Sequence, residues 1–91
     1  MNKMELVAAA AERAGVTKKD AEKVLNAVID SIQDALARGD KVSLVGFGTF
    51  EVRDRAARKG RNPQTGEEIA IEATRVPAFK AGKSLKETVE R

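Results

Sequence analysis

From Arg53 to Gln64 the chain carries no large apolar side chain, yet the residues on either side of this run alternate as β-strands do. Before it, Val42 and Leu44 alternate with Lys41 and Ser43, Gly46-Phe47-Gly48 supplies a turn, and Phe50 and Val52 alternate with Thr49 and Glu51. After it, Ile69 and Ile71 resume a strand that returns through Arg75 to Val76-Pro77. Asn62-Pro63-Gln64-Thr65-Gly66 is a turn by its chemistry, because proline fixes φ and glycine supplies a positive one. Two strands with so little to bury on either face cannot form a core hairpin. They form either a solvated loop or an arm that lies on an external surface. At ~3.3 Å per residue, ten or more residues per strand would project roughly 35 Å, beyond the radius of a small domain.

Positive charge collects in the same run. Residues 1–40 carry six basic and seven acidic side chains, whereas residues 41–91 carry eleven and seven. Arg53, Arg55, Arg58, Lys59 and Arg61 are offset only by Asp54. A modest net charge of +3 with one basic segment points to a local contact with a polyanion rather than a uniformly adhesive surface. A solvated loop is the ordinary reading of a charge run, and two features weigh against it. The basic residues lean towards arginine, including Arg75, and the planar guanidinium suits phosphate and a narrow minor groove. Pro63 sits at the tip, where a rigid apolar ring can wedge between base pairs. No aromatic residue lies between Phe50 and Phe79, so stacking platforms for single strands or RNA loops are missing. The pattern favours duplex binding through backbone and groove shape.

The N-terminal part reads as two helices. Asn2 with Glu5 three residues on is an N-cap signature, and Leu6, Val7, Ala10, Ala11 and Ala14 hold one face up to Gly15. Thr17 with Asp20 opens a longer helix, whose apolar stripe runs through Ala21, Val24, Leu25, Val28, Ile29, Ile32, Ala35 and Leu36 to Gly39. That stripe is wide enough for a neighbouring helix and a partner chain. A short terminal helix follows Lys80-Ala81-Gly82-Lys83-Ser84, with Leu85 and Val89 on one face. The expected class is α+β in a single domain spanning 1–91. Its body comprises 1–52 and 76–91, and its arm 53–75.

The 38 apolar residues include fifteen alanines, leaving 23 larger side chains to build a core in a chain of 91. Natural domains this small usually add disulfides, a metal or self-association. With no Cys and no His, disulfides and zinc are excluded, which leaves self-association. Ser–His, Cys–His and His general-base catalysis are excluded by the same inventory. Gly82-Lys83-Ser84 imitates the end of a Walker A loop, but the position of its first glycine is held by Pro77. Gly46-Phe47-Gly48 lacks the third glycine of a dinucleotide loop. Asp20, Asp30, Asp34, Glu67, Glu68 and Glu72 are scattered over presumed solvent faces. The expectation is therefore no enzyme, no catalytic residue, no cofactor and no metal. No stretch approaches the ~18 apolar residues of a membrane span, and a soluble cytoplasmic protein is expected.

Together these residues carry a resemblance. Gly46-Phe47-Gly48-Thr49-Phe50, then Arg55, Arg58, Gly60 and Arg61-Asn62-Pro63-Gln64-Thr65-Gly66, resemble the signature of the HU family of bacterial histone-like DNA-binding proteins, within the wider HU and integration host factor group. Met1-Asn2-Lys3 with Glu5-Leu6, and Pro77-Ala78-Phe79-Lys80-Ala81-Gly82-Lys83 with Leu85-Lys86, agree at the flanks. The resemblance implies an intertwined homodimer of helical bases beneath a small antiparallel sheet. Two long β-ribbon arms would protrude from it and wrap duplex DNA in the minor groove. It implies Pro63 as the intercalating wedge, with Arg53, Arg55, Arg58, Lys59, Arg61 and Arg75 lining the arms and Asn62 and Gln64 beside the tip. Lys3, Lys80, Lys83 and Lys86 would touch phosphates on the body, and Phe47, Phe50 and Phe79 would form the aromatic dimer core. The implied function is nucleoid-associated compaction and stabilisation of DNA without sequence specificity, preferring flexible, nicked or kinked duplexes. The rivals are a site-preferring subunit like integration host factor, a module for RNA or an acidic protein surface, and, distantly, an enzyme.

Overall fold

The computed structural model describes all residues from Met1 to Arg91. Three helices and five strands follow in the order α1 (Lys3–Ala14), α2 (Lys18–Ala37), β1 (Val42–Leu44), β2 (Gly48–Arg55), β3 (Arg58–Arg61), β4 (Glu68–Ile71), β5 (Thr74–Ala81) and α3 (Lys83–Glu90). They divide into two compact units, Met1–Asp34 and Ala35–Arg91, the boundary falling inside α2.

In the first unit both helices start where side chains satisfy orphan backbone donors. The Glu5 amide donates to Asn2 Oδ1 at 2.9 Å, and the Asp20 amide donates to Thr17 Oγ1 at 3.1 Å. Val7, Ala11 and Ala21 are buried together, with Leu25 packed against them. Two of the three are alanines, which bury little apolar surface. The middle of the α2 stripe is open, with Val24 63% and Val28 46% exposed, whereas Ile32 and Leu36 are half-buried and Ala35 is buried. No large side chain anywhere in the chain is fully buried, so the apolar shortage anticipated from composition is present in the fold.

The second unit is built on a three-stranded antiparallel sheet in the order β1-β2-β5, followed outward by a two-stranded ladder of β3 and β4. Pairing of Phe50 with Phe79 and of Val42 with Phe50 places Val42, Phe50 and Phe79 on one face. The Phe79 ring lies 4.8 Å from that of Phe50 and 5.5 Å from that of Phe47, both tilted. Gly48 is where this cluster closes on the backbone: a Cβ there would lie 2.5 Å from Phe79 Cζ and 2.6 Å from the Lys80 carbonyl oxygen. The turn before it also caps α3. The Gly82 amide donates to the Phe47 carbonyl at 2.8 Å and the Leu85 amide to the Gly46 carbonyl at 3.2 Å. Those carbonyls take the place of a side-chain cap, which Gly82 does not provide.

The two ladders share one register. Phe50 pairs with Phe79, Arg55 with Thr74, Arg58 with Ile71 and Arg61 with Glu68, so each pair continues the count of the last. Ala56-Ala57 and Glu72-Ala73 interrupt the hydrogen bonding without inserting a residue. The ribbon expected from the sequence is therefore present, but as two ladders with a break between them.

Candidate nucleic-acid interface

Alternation along the ribbon sorts the basic residues. In β2, Glu51, Arg53 and Arg55 share a face with Val76 and Thr74 of β5, and Lys80 joins that face through its pairing with Thr49. In β3, Lys59 and Arg61 share a face with Ala70 and Glu68. Arg58 takes the other face of that ladder, with Gly60, Ile69 and Ile71. Arg53, Arg55, Lys59 and Arg61 thus fall at every second position of one unbroken register, apart from Ala57.

Their partners differ. Arg53 is committed in part to Glu51, with its Nη2 3.2 Å from Oε1. Lys59 lies 4.0 Å from Glu68 with both side chains largely in solvent, a separation at which an exposed pair is worth little and is readily exchanged. Arg55, Arg58 and Arg61 are exposed and make no ion pair. Arg75 stands apart. It pairs with Asp54 across the sheet, on the face opposite Arg53 and Arg55, and its Nη2 donates to the Leu36 carbonyl at 3.4 Å. That carbonyl lies in the last turn of α2, where a cation complements the helix dipole. Gly39, just beyond the helix, takes the left-handed φ of +83 that favours glycine.

At the tip Pro63 is exposed between Asn62, which is partly buried, and Gln64. Lys83 and Lys86 are exposed on α3, and Lys3 is exposed on the first turn of α1 in the other unit. Phe47 and Phe79 are 48% and 41% exposed although their rings touch. No three His, Cys, Asp or Glu side chains come together as a metal site, and no helix is long and apolar enough to cross a membrane.

Sequence reasoning read Ile69 and Ile71 only as part of a returning strand and gave them no role in the arm's surface. Ile69 and Ile71, 47% and 40% exposed, form a short apolar strip on the same face as Arg58. Gly60 opposite them has no side chain, and a Cβ there would meet Ile71 Cδ1 at 3.1 Å. The alternation Ile69-Ala70-Ile71 was its only signal, hidden by the charged surroundings.

Such an arm presents guanidinium groups, an apolar strip and a rigid tip to whatever it lies on. The family model described as bacterial DNA-binding protein matches residues 1–90. DNA-binding protein HU of Geobacillus stearothermophilus is 66% identical over 90 residues, covering 99% of this chain and all of its own length. Its counterpart in Staphylococcus aureus (strain COL) is 63% identical with the same coverage. Among solved structures, the Anabaena HU–DNA cocrystal structure aligns with a TM-score of 0.90 at 61% identity, over 98% of this chain and 97% of that one. HU from Thermotoga maritima aligns at 0.71 and 40% identity, over 98% of each. These relatives are named for DNA or for HU, and none for an enzymatic reaction.

Proposed function

The chain belongs to the HU family of bacterial DNA-binding proteins, and from that premise we propose that it is an architectural protein that wraps, bends and compacts duplex DNA without reading its sequence. The observation that carries this reading is the ribbon beyond Arg55: in one register with the sheet, basic at alternate positions and ending in an exposed proline. Residues 53–75 act as the arm, and residues 1–52 with 76–91 as the body.

Affinity comes from phosphates neutralised by Arg55, Arg58, Lys59 and Arg61, with Arg53 released from Glu51 on binding, and from the counterions those phosphates shed. Lys80, Lys83, Lys86 and Lys3 extend the contact to the body. The arm lies in the minor groove, whose sugar walls accept the Ile69 and Ile71 strip, and Pro63 wedges between base pairs. Unstacking and bending cost a few kcal/mol, recovered through the extra surface that bent DNA brings to the protein. A duplex already nicked or kinked avoids part of that cost, and wrapping holds the strands together against denaturation. Arg75 serves differently, tying the base of the arm to the end of α2.

Two arms require two chains. The uncovered Val24 and Val28 on α2 and the half-exposed Phe47 and Phe79 are the surfaces a second copy covers, with Phe50 completing the aromatic core. The working unit is a homodimer in the bacterial cytoplasm, associated with the nucleoid. No feature of the fold favours a site-preferring subunit resembling integration host factor.

Three outcomes are expected. Sedimentation at micromolar concentration gives about twice 9.8 kDa, and a folded monomer would remove the dimer. Replacing Arg55 and Arg58 together with Ala flattens the plot of log K against log salt, by about 0.9 for each phosphate no longer neutralised, whereas Arg75→Ala lowers the melting temperature and leaves the slope alone. An unaltered slope in the double variant means the arm does not touch phosphate. Pro63→Ala reduces DNA bending in an energy-transfer assay far more than it reduces binding, and unchanged bending rules out the wedge.

A further inference from the structure

The tip loop is closed by hydrogen bonds that converge on one residue. The Asn62 amide donates to the Glu67 carbonyl at 2.9 Å, and the Asn62 carbonyl accepts from the Gly66 amide at 2.7 Å. Its side-chain Oδ1 accepts from the Gln64 amide at 2.9 Å. Beyond Pro63, Thr65 Oγ1 accepts from the Glu67 amide at 3.3 Å. Gly66 supplies the left-handed step, φ +74, that brings its amide back to Asn62. Every bond spans at most five residues, so the loop is held by its own atoms rather than by the rest of the fold.

Pro63 has no amide hydrogen and cannot be anchored by a bond from its own nitrogen. What fixes the direction of its ring is the backbone on either side, and the Oδ1 bond to the Gln64 amide spans the proline directly. We propose that Asn62 is a positioning residue that sets Pro63 in its wedging attitude before DNA arrives, through the side-chain bond to the Gln64 amide. The family resemblance placed Asn62 simply beside the tip, among the contacts to DNA. Its carboxamide oxygen already accepts one bond within the loop, which leaves its second lone pair and the Nδ2 hydrogens for outside partners. A tip ordered in advance saves the ordering cost at the moment of binding, so the bond affects bending without touching the base step.

The inference rests on Pro63 being the wedge, and the test separates the two. In DNA-free protein, Asn62→Ala speeds hydrogen exchange at the Gln64 amide about fivefold, the change expected from one hydrogen bond of typical net strength. Asn62→Asp, which keeps an acceptor at the same place, restores the protection. With DNA, Asn62→Ala lowers the bend towards that of Pro63→Ala, and the uncharged Asn62→Ser, a shorter acceptor, recovers part of it. Gln64 exchange unchanged in Asn62→Ala overturns the proposal, and so does faster exchange with a full bend. A lost bend with Gln64 still protected also overturns it, because Asn62 would then act by touching DNA. An unchanged bend in Pro63→Ala removes the wedge itself, while the Gln64 amide still reports on the turn.

Discussion

The register between β2 and β5 is the constraint on which the rest of the second unit depends. Eight consecutive pairs, from Gly48 with Ala81 to Arg55 with Thr74, carry the chain from an aromatic cluster to a region with almost nothing to bury. Because strand side chains alternate, that single register decides both ends at once. At the inner end it stacks Phe50 on Phe79; at the outer end it sends Arg53 and Arg55 to one face and Arg75 to the other. The β3–β4 ladder inherits the count across two unpaired positions on each strand. A slip of one residue would exchange the basic face for the face of Arg58 and the isoleucines.

Much of this was legible in the sequence. The change of period from 3.6 to 2 after Gly39-Asp40 marked the passage from helices to strands, and the caps at Asn2 and Thr17 form as their spacing predicts. The arm was legible because the large apolar residues stop at Val52. Three features were not. The ribbon breaks at Ala56-Ala57 and Glu72-Ala73, and small or charged residues there give no signal that distinguishes a paired strand from an unpaired one. Arg75 looks in sequence like another arm cation, and only the pairing with Asp54 shows that it faces away from Arg53 and towards the α2 carbonyls. The internal bonding of Asn62 was hidden as well, because an Asn-Pro step suits both a turn and a contact with DNA.

The sparse apolar inventory and the exposed apolar faces are two views of one condition. The buried cluster of Val7, Ala11 and Ala21 is small for a chain of this length, while Val24, Val28, Phe47 and Phe79 remain in contact with water. In the proposed dimer those surfaces meet, and each body then supports an arm that has no core to join. Division of labour follows from composition: apolar side chains are kept for association, and the arm spends its length on charge, one apolar strip and a self-closed tip.

Competition between a linear duplex of random sequence and one of equal length carrying a nick tests the central claim most directly. Bending DNA by arms that read shape rather than bases predicts that the nicked duplex displaces the linear one, whatever the bases around the nick. Equal affinity for the two, or a preference that follows one particular sequence, would contradict it.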